Sequence, residues 1–275
     1  MITIISGKGA PGATTTLAAL AATWPAPVVL ADCDPDGGDL ARGWFGQWLL
    51  AGQVRADVGV LSHATATRHA TAGDPTALID HVQAVPPVQH VGLLAGLSAP
   101  GQRAAVGPEG WTRLTVALAA FKTRTGRPAD ALVDVGRFGA ATPWPLVQAA
   151  DLVLVAVRPT QRHVLAARPL LEELAGRVAP EKLALAVCVT TQPATREVRA
   201  ALGHEVAVGI PEDTKTAAVL SDGHGAGALP HRSALLRAVF PVARRLHGTY
   251  HRYTPAEIRT LDPRPVSLPL IGGTQ

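Results

Sequence analysis

The sequence predicts an α/β fold: a three-layer, doubly wound and mostly parallel sheet with helices on both faces. Three observations predict it. Short apolar runs alternate with helical stretches along the chain, which is the pattern of repeated βαβ units. Several of those runs are continuously hydrophobic, as strands are when both faces of a sheet are covered. The 275 residues are 47% apolar, which suffices for one buried sheet.

Seven apolar runs are the predicted strands, and each is of ordinary strand length. The first starts at the second residue, so no secretory leader is expected before it. In chain order they are Ile2–Ile5, Val28–Ala31, Val91–Leu94, Ala131–Val135, Leu152–Val157, Leu183–Val189 and Val206–Ile210.

Seven further stretches have helical spacing or an alanine-rich composition and are the predicted helices. In chain order they are Thr14–Ala22, Pro75–Gln83, Gly110–Thr123, Arg162–Arg177, Thr195–Leu202, Thr214–Leu220 and Ser233–Leu246. The polar segment from residue 54 to residue 72 is predicted to be an insertion or an irregular helix.

The C-terminal segment differs from the rest of the chain because it is rich in proline. Proline cannot continue a helix far, so an extended arm is predicted. The prolines are Pro255, Pro263, Pro265 and Pro269. We therefore divide the chain into a domain over residues 1–248 and a tail over residues 249–275.

The segment between the first strand and the first helix is predicted to bind phosphate. It consists of Gly7, Lys8, Gly9, Ala10, Pro11, Gly12, Ala13, Thr14 and Thr15. A glycine-rich loop at a helix N-terminus surrounds an anion with backbone N–H groups. The frame is that of a Walker A loop, G-x-x-x-x-G-K-[ST], which Gly7, Gly12 and Thr14 fit. Ala13 stands at the lysine position, and a different lysine, Lys8, follows the first glycine.

The same loop permits a second interpretation. The spacing from Gly7 to Gly12 also satisfies the G-x-G-x-x-G fingerprint of dinucleotide-binding folds, with Asp32 at about the right distance downstream to hold a ribose. Two features argue against a dinucleotide site. Pro11 stiffens the turn where the backbone must approach a pyrophosphate. The run Thr14–Thr16 also supplies hydroxyls that a dinucleotide-binding helix does not need. We therefore favour a nucleoside triphosphate.

Three further motifs follow later strands. They are Asp32-Cys33-Asp34-Pro35-Asp36-Gly37, Asp134-Val135-Gly136 and Ile210-Pro211-Glu212-Asp213. The stretch from Asp34 to Gly37 is also good turn chemistry, so a purely structural role stays open there. Pro211 fixes the turn after the last predicted strand.

In this order the four motifs resemble those of the ParA/MinD family of ATPases, over roughly residues 1 to 225. The family's loop reads K-G-G-x-G-K-[ST]-[ST], and Lys8 matches its first lysine. Ala10 replaces a glycine and Ala13 replaces the second lysine, which the TadZ/CpaE-like branch of the family also lacks. The resemblance implies a deviant Walker A P-loop NTPase domain.

The resemblance also implies roles for individual residues. The loop residues 7–15 would bind the phosphates of ATP, while Thr14, Asp34 and Asp134 would hold Mg²⁺. The catalytic residues would be Asp34, which positions the attacking water, and Lys8, which reaches the partner's nucleotide in an ATP-sandwiched homodimer. The residues in contact with the adenine would be Pro211, Glu212 and Asp213.

The function implied by the resemblance is a nucleotide-dependent switch in the cytoplasm. Hydrolysis is expected to be weak or lost, because Ala13 cannot neutralise phosphate charge. The switch would position a protein partner such as a pilus, secretion or conjugation apparatus. Two other functions stay open: a partitioning ATPase that binds DNA nonspecifically, and a pseudo-ATPase scaffold whose loop is only architectural.

Composition excludes some other classes of function. The net charge is +4 and the basic residues do not cluster with aromatics, so specific DNA recognition is not predicted, although loose contact with the DNA backbone stays open. No apolar run reaches the roughly 18 residues needed to span a bilayer. The histidines show no metal-ligand spacing.

Overall fold

The computed structural model describes residues 1–250 except residues 10, 71–74, 87, 122, 124, 125 and 231. Within these residues the strands are β1 (Ile2–Ser6), β2 (Val28–Asp32), β3 (Gln83–Ala84), β4 (Val91–Leu94), β5 (Asp130–Arg137), β6 (Leu152–Val157), β7 (Leu183–Val187) and β8 (Val206–Gly209). The α-helices are α1 (Ala13–Ala22), α2 (Gly46–Leu50), α3 (Val60–Ala66), α4 (Arg103–Ala119), α5 (Trp144–Gln148), α6 (Gln161–Ala175), α7 (Gln192–Leu202), α8 (Thr214–Asp222) and α9 (Ala234–Tyr250). Short 3-10 helices lie at Pro75–His81, Pro100–Gln102, Pro180–Lys182 and His224–Gly227.

The strands form one sheet in the order β3-β4-β2-β5-β1-β6-β7-β8. Neighbouring strands run parallel except β3, which is antiparallel to β4. The chain leaves β1 towards β2 on one side and later returns to β6 on the other. This reversal opens a crevice at the carboxyl end of β1, where doubly wound sheets bind their ligands.

The sheet has a hydrophobic layer on each face, because alternate residues of each strand point to opposite sides. On one face Ile4 of β1 packs in a cluster with Leu17 of α1 and Val239 of α9. On the other face Ile5 belongs to a cluster with Leu114 of α4. The predicted three-layer architecture is therefore confirmed.

All seven predicted strands are present, with small changes at their ends. The seventh element of the sheet, β7, ends at Val187 and not at the predicted Val189. Val189 has a φ of 56°, a left-handed conformation that a β-branched residue rarely adopts and that takes the chain out of the strand.

The predicted helices differ more from the structure. The stretch 75–83 is a 3-10 helix followed by β3, and the segment 54–72 contains the short helix α3 in its middle. Helix α9 runs through Pro241 to Tyr250, two residues beyond the predicted domain end at residue 248. The remainder of the predicted tail lies outside the described residues. No helix in the described part of the chain is long and apolar enough to cross a bilayer.

Candidate functional site

The glycine-rich loop joins β1, at the centre of the sheet, to the N-terminus of α1. Gly12 is the N-cap of α1 and has a φ of 99°, a left-handed conformation that glycine adopts without strain. A Cβ at Gly7 would overlap the carbonyl oxygen of Ala166 in α6, whereas a Cβ at Gly9 would meet no atom within 4 Å. The fold therefore requires glycine at positions 7 and 12, whereas the space beside Gly9 is open. Ala10 lies outside the described residues.

A cavity of about 760 Å³ opens beside the loop, a size that suits a nucleotide-sized ligand. Its walls come from the loop, from the carboxyl ends of β1, β2, β5 and β6, and from α8. The lining residues are Ser6, Gly9, Pro11, Gly12, Ala13, Thr14, Thr15, Asp34, Asp39, Arg42, Gly43, Asp134, Gly136, Arg137, Arg158, Ala217, Leu220, Ser221 and Asp222.

Thr14 and Asp134 meet at the base of this cavity. The Thr14 hydroxyl donates to Asp134 Oδ2 at 2.5 Å, and the Gly136 N–H donates to Asp134 Oδ1 at 2.9 Å. Asp134 is 2% exposed. Burial raises the pKa of Asp134, against the lowering effect of the bonds from Thr14 and Gly136. The carboxylate is thus held in place in an environment that disfavours its charge.

Asp34 completes the carboxylate cluster. A Cβ at Gly136 would overlap the Asp34 carboxyl group, so this side chain lies directly against the Gly136 backbone. Burial raises the pKa of Asp34 to about 6; the charge of Asp134 adds to this effect and the Asp36 N–H opposes it. Asp34 also accepts the Asp36 N–H at 2.8 Å. The predicted turn chemistry and the predicted place at the site therefore coexist.

The cluster has the donors that Mg²⁺ prefers. Thr14, Asp34 and Asp134 offer hydroxyl and carboxylate oxygens at one point, and Mg²⁺ usually takes one or two carboxylates together with phosphate oxygens and water. Raised carboxyl pKa values also fit, since a bound cation would relieve the repulsion between Asp34 and Asp134. Within the described ranges, no group of three or more His, Cys, Asp or Glu residues has the arrangement of a metal site.

Asp32 takes a role that the sequence did not indicate. It is 2% exposed and is not among the residues that line the cavity. Its Oδ2 accepts the Leu40 N–H at 2.9 Å, and its carboxyl group packs so closely against Gly38 and Gly96 that neither could carry a Cβ. Burial, then the charge of Asp134, raises the pKa of Asp32 to about 8. Asp32 thus anchors the segment that follows Asp34.

The predicted adenine-contacting segment is not brought to the cavity. Pro211, Glu212 and Asp213 are absent from its lining, and α8 contributes Ala217 and Leu220 instead.

The Asp213 carboxylate is occupied as the N-cap of α8. It accepts from Thr216 N at 3.1 Å, Thr216 Oγ1 at 2.9 Å, Ser233 Oγ at 2.9 Å and Leu235 N at 3.1 Å. Burial raises the pKa of Asp213, but these bonds outweigh it and bring the pKa to about 2. The contact of this segment with a base stays a prediction.

The cavity is also lined by three arginines that were not among the predicted site residues: Arg42, Arg137 and Arg158. Arg158 Nε donates to the Pro11 carbonyl oxygen of the loop at 3.2 Å. Arg42 donates to the carbonyl oxygen of Ser98, which is not a loop residue. The feature of the sequence that could have indicated Arg158 is its position directly after the strand β6, which neighbours β1.

Lys8 is exposed and is not among the cavity residues. It lies close enough to the N-terminal turn of α6 to influence His163. Burial, followed by the charges of Arg162, Arg158 and Lys8, lowers the pKa of His163. The loop is therefore flanked by positive charge on its α6 side.

Solved structures with a similar fold include ParA, MinD and McdA proteins. A ParA family ATPase from Chlorobium tepidum TLS gives a TM-score of 0.68 at 17% identity, over 89% of this chain and 99% of that one. The septum site-determining protein MinD of Pyrococcus horikoshii OT3, complexed with Mg-ADP, gives 0.66 at 16% identity, over 92% and 98%. A Cyanothece McdA variant with ATP gives 0.60 at 15% identity, over 90% and 96%.

No protein-family model and no curated protein sequence matches the chain. At these levels of identity the likeness to solved structures concerns the backbone architecture. The mostly parallel eight-stranded sheet with helices on both faces agrees with it. The chain has the fold of the ParA/MinD P-loop ATPases.

Proposed function

We propose that the chain is a ParA/MinD-like switch that binds ATP with Mg²⁺, dimerises around the nucleotide and hydrolyses it slowly or not at all. One observation carries the proposal. Thr14, Asp34 and Asp134 converge beside a glycine-rich loop and the N-terminus of α1, where backbone N–H groups and the helix dipole attract phosphate. Neighbours in fold that hold Mg-ADP or ATP support the choice of ligand.

The chain's own residues divide the work at this site. The loop amides hold the phosphates, Thr14 and Asp134 hold the cation, and Asp34 orients a water. Mg²⁺, when bound, would neutralise charge on the phosphates. Ala13 offers only a methyl group where a lysine would add a second positive charge, so little stabilisation of the developing charge is left and turnover is slow.

Lys8 acts across the dimer. It is exposed beside its own cavity and does not line it, so it is free to contact the nucleotide of a second copy. Two triphosphates facing each other repel, and a lysine between them offsets that repulsion. ATP then favours the dimer, because a ligand that binds one state better shifts the population towards it.

The dimer, in the cytoplasm, would serve to position a protein partner. MinD, ParA and McdA proteins among the neighbours in fold support a positioning ATPase. Ala13 supports the TadZ/CpaE-like branch, and hence a partner such as a pilus, secretion or conjugation apparatus.

Titration calorimetry with ATP and Mg²⁺ should show binding in about the micromolar range, because losing one charged donor costs on the order of ten- to hundredfold in affinity. Light scattering should show a dimer with ATP–Mg²⁺ and a monomer without it, and Lys8→Ala should suppress the dimer. Lys182→Ala is the charge control, since Lys182 lies before the amino end of β7, whereas the loop lies at the carboxyl end of the sheet, and its Nζ donates to the Ala150 carbonyl oxygen. A flat titration would overturn the switch and leave the scaffold alternative. Salt-sensitive binding to duplex DNA would favour the partitioning alternative.

A further inference from the structure

We propose that Arg158 supplies, from the end of β6, the phosphate-binding positive charge that Ala13 cannot supply from the loop. This inference rests on the proposed ATP site and names a residue of it that the motifs do not contain. The ligand group concerned is the phosphate chain of the nucleotide.

The sheet places Arg158 at the level of the loop. β6 runs parallel to β1 with Ala156 aligned to Ser6, so the residues that follow both strands emerge side by side. Arg158 is the first residue after β6, and the loop begins directly after Ser6. The two segments are joined by the hydrogen bond from Arg158 Nε to the Pro11 carbonyl oxygen at 3.2 Å.

The guanidinium retains donors for a ligand. Arg158 is half-buried and lines the same cavity as Ala13 and Thr14. Among the described residues, the bond to Pro11 uses Nε and none involves the Nη atoms. Guanidinium stays charged at any pH the protein meets, and its N–H groups suit phosphate oxygens. One nitrogen thus fixes the side chain to the loop and the others remain available.

The other two arginines of the cavity are less well placed. Arg42 donates to the Ser98 carbonyl, away from the loop. Arg137 is exposed at the end of β5, and no hydrogen bond joins it to the described loop residues. The cavity also contains the carboxylates of Asp34, Asp39, Asp134 and Asp222, so a triphosphate needs a fixed cation as well as Mg²⁺.

The test compares ATP–Mg²⁺ affinities by calorimetry. Arg158→Ala should weaken binding by about ten- to hundredfold, with much less effect on AMP, which lacks the distal phosphates. Adding Ala13→Lys to Arg158→Ala should restore most of the loss, while Ala13→Lys alone should gain less, because two groups that do one task are not additive. Arg168→Ala, on the exposed side of α6, removes the same charge outside the cavity and should bind as wild type.

Two more variants separate charge from loop anchoring. Arg158→Gln keeps an N–H donor for the Pro11 carbonyl and loses the charge, so it should bind as poorly as Arg158→Ala. Arg158→Lys keeps the charge and should retain most of the affinity. Thermal unfolding checks that each variant folds.

Each result has a distinct meaning. If wild type binds ATP and Arg158→Ala or Arg158→Gln binds equally well, the inference is overturned and the proposed function stands. If Arg137→Ala loses affinity and Arg158→Ala does not, Arg137 takes the role instead. If wild type gives no heat, both the proposed function and the inference are overturned.

Discussion

Two aspartates of this molecule, Asp134 and Asp213, belong to predicted motifs near the carboxyl ends of strands and yet have opposite electrostatics. Asp134 lies in β5 beside the loop, where burial raises its pKa. Asp213 follows β8 and caps α8, where hydrogen bonds from Thr216, Ser233 and Leu235 bring its pKa to about 2. Among the described residues, Asp134 accepts hydrogen bonds from Thr14 and Gly136 and forms no ion pair, whereas Asp213 accepts four hydrogen bonds from its own surroundings.

The difference shows how to tell a carboxylate that serves a ligand from one that serves the fold. A carboxylate whose hydrogen bonds outweigh the effect of burial is stabilised in its charged form, and its removal harms the structure. A buried group next to another carboxylate is destabilised in its charged form until a cation arrives. Removing such a group harms function and relieves the structure.

The largest expected effect is on metal-linked affinity. Asp134→Asn should weaken ATP–Mg²⁺ binding by about a hundredfold, since a charge-assisted contact to the cation is lost. With EDTA in place of Mg²⁺, the variant and wild type should bind ATP alike. Calorimetry under both conditions measures the difference.

Asp222→Asn is the matched control for Asp134→Asn, because Asp222 lines the same cavity and is not bonded to Thr14. It should leave the Mg²⁺ dependence nearly intact. Equal Mg²⁺-dependent affinity in Asp134→Asn and wild type would show that Asp134 is an ordinary buried carboxylate, and the contrast with Asp213 would lose its functional meaning.

The next effect concerns the fold. Asp213→Ala should lower the free energy of unfolding by about 2 kcal/mol, because an N-cap is lost and the donors from Ser233 and Leu235 lose their acceptor. ATP–Mg²⁺ affinity per folded molecule should stay within about twofold of wild type. Urea unfolding and calorimetry measure the two quantities. A variant that folds as well as wild type and binds poorly would restore the predicted adenine contact of the Pro211–Asp213 segment.

The motifs allowed much of the site to be predicted, because its parts are local. Thr14 lies in the first turn of the helix that follows β1, Asp34 follows β2 and Asp134 lies in β5, and the parallel sheet brings the three together. The contact between Arg158 and Pro11 could not be foreseen, since it depends on which strand neighbours β1. For Asp213 the signal was present: an aspartate directly before a predicted helix is a cap, and the motif resemblance outweighed it.

For the fold, prediction succeeded where elements were long and apolar and failed where they were short. Apart from the one that corresponds to β8, which is only partly buried, the predicted strands are apolar runs that are buried over nearly their whole length. β3 has two residues and α2 and α5 have five each, too few to show a period of 2 or 3.6. Such elements form because the surrounding structure holds them.

A smaller effect is the pH dependence of stability, which should have opposite signs at the two aspartates. Asp213 has a folded pKa below its ordinary value of 3.8, so its stabilisation is present above about pH 4 and is lost as the pH falls towards 2. Asp134 has a raised pKa, so its contribution is present at low pH and is lost as the pH rises above about 4.

Chemical unfolding without nucleotide or Mg²⁺, at a series of pH values, tests this. Asp213→Asn should flatten the acid side of the profile by about 1 kcal/mol after allowing for solvent screening, and Asp134→Asn should reduce the loss of stability above about pH 4. Profiles that keep the wild-type slope in both variants would assign the pH dependence to other groups and remove the electrostatic basis of the comparison.

The smallest expected effect on stability is at Gly9, where a substitution should affect ligand binding and not the fold. A Cβ at Gly9 meets no atom within 4 Å and Gly9 does not have a positive φ, so Gly9→Ala should change the free energy of unfolding by less than about 0.5 kcal/mol. The same residue lines the cavity. If phosphates occupy that space, the added methyl group blocks the close approach of the backbone and ATP–Mg²⁺ affinity should fall by about tenfold. Gly7→Ala, whose Cβ would overlap the Ala166 carbonyl, is the opposing control and should lower stability. Undiminished affinity in Gly9→Ala would mean that the ligand does not reach this part of the loop.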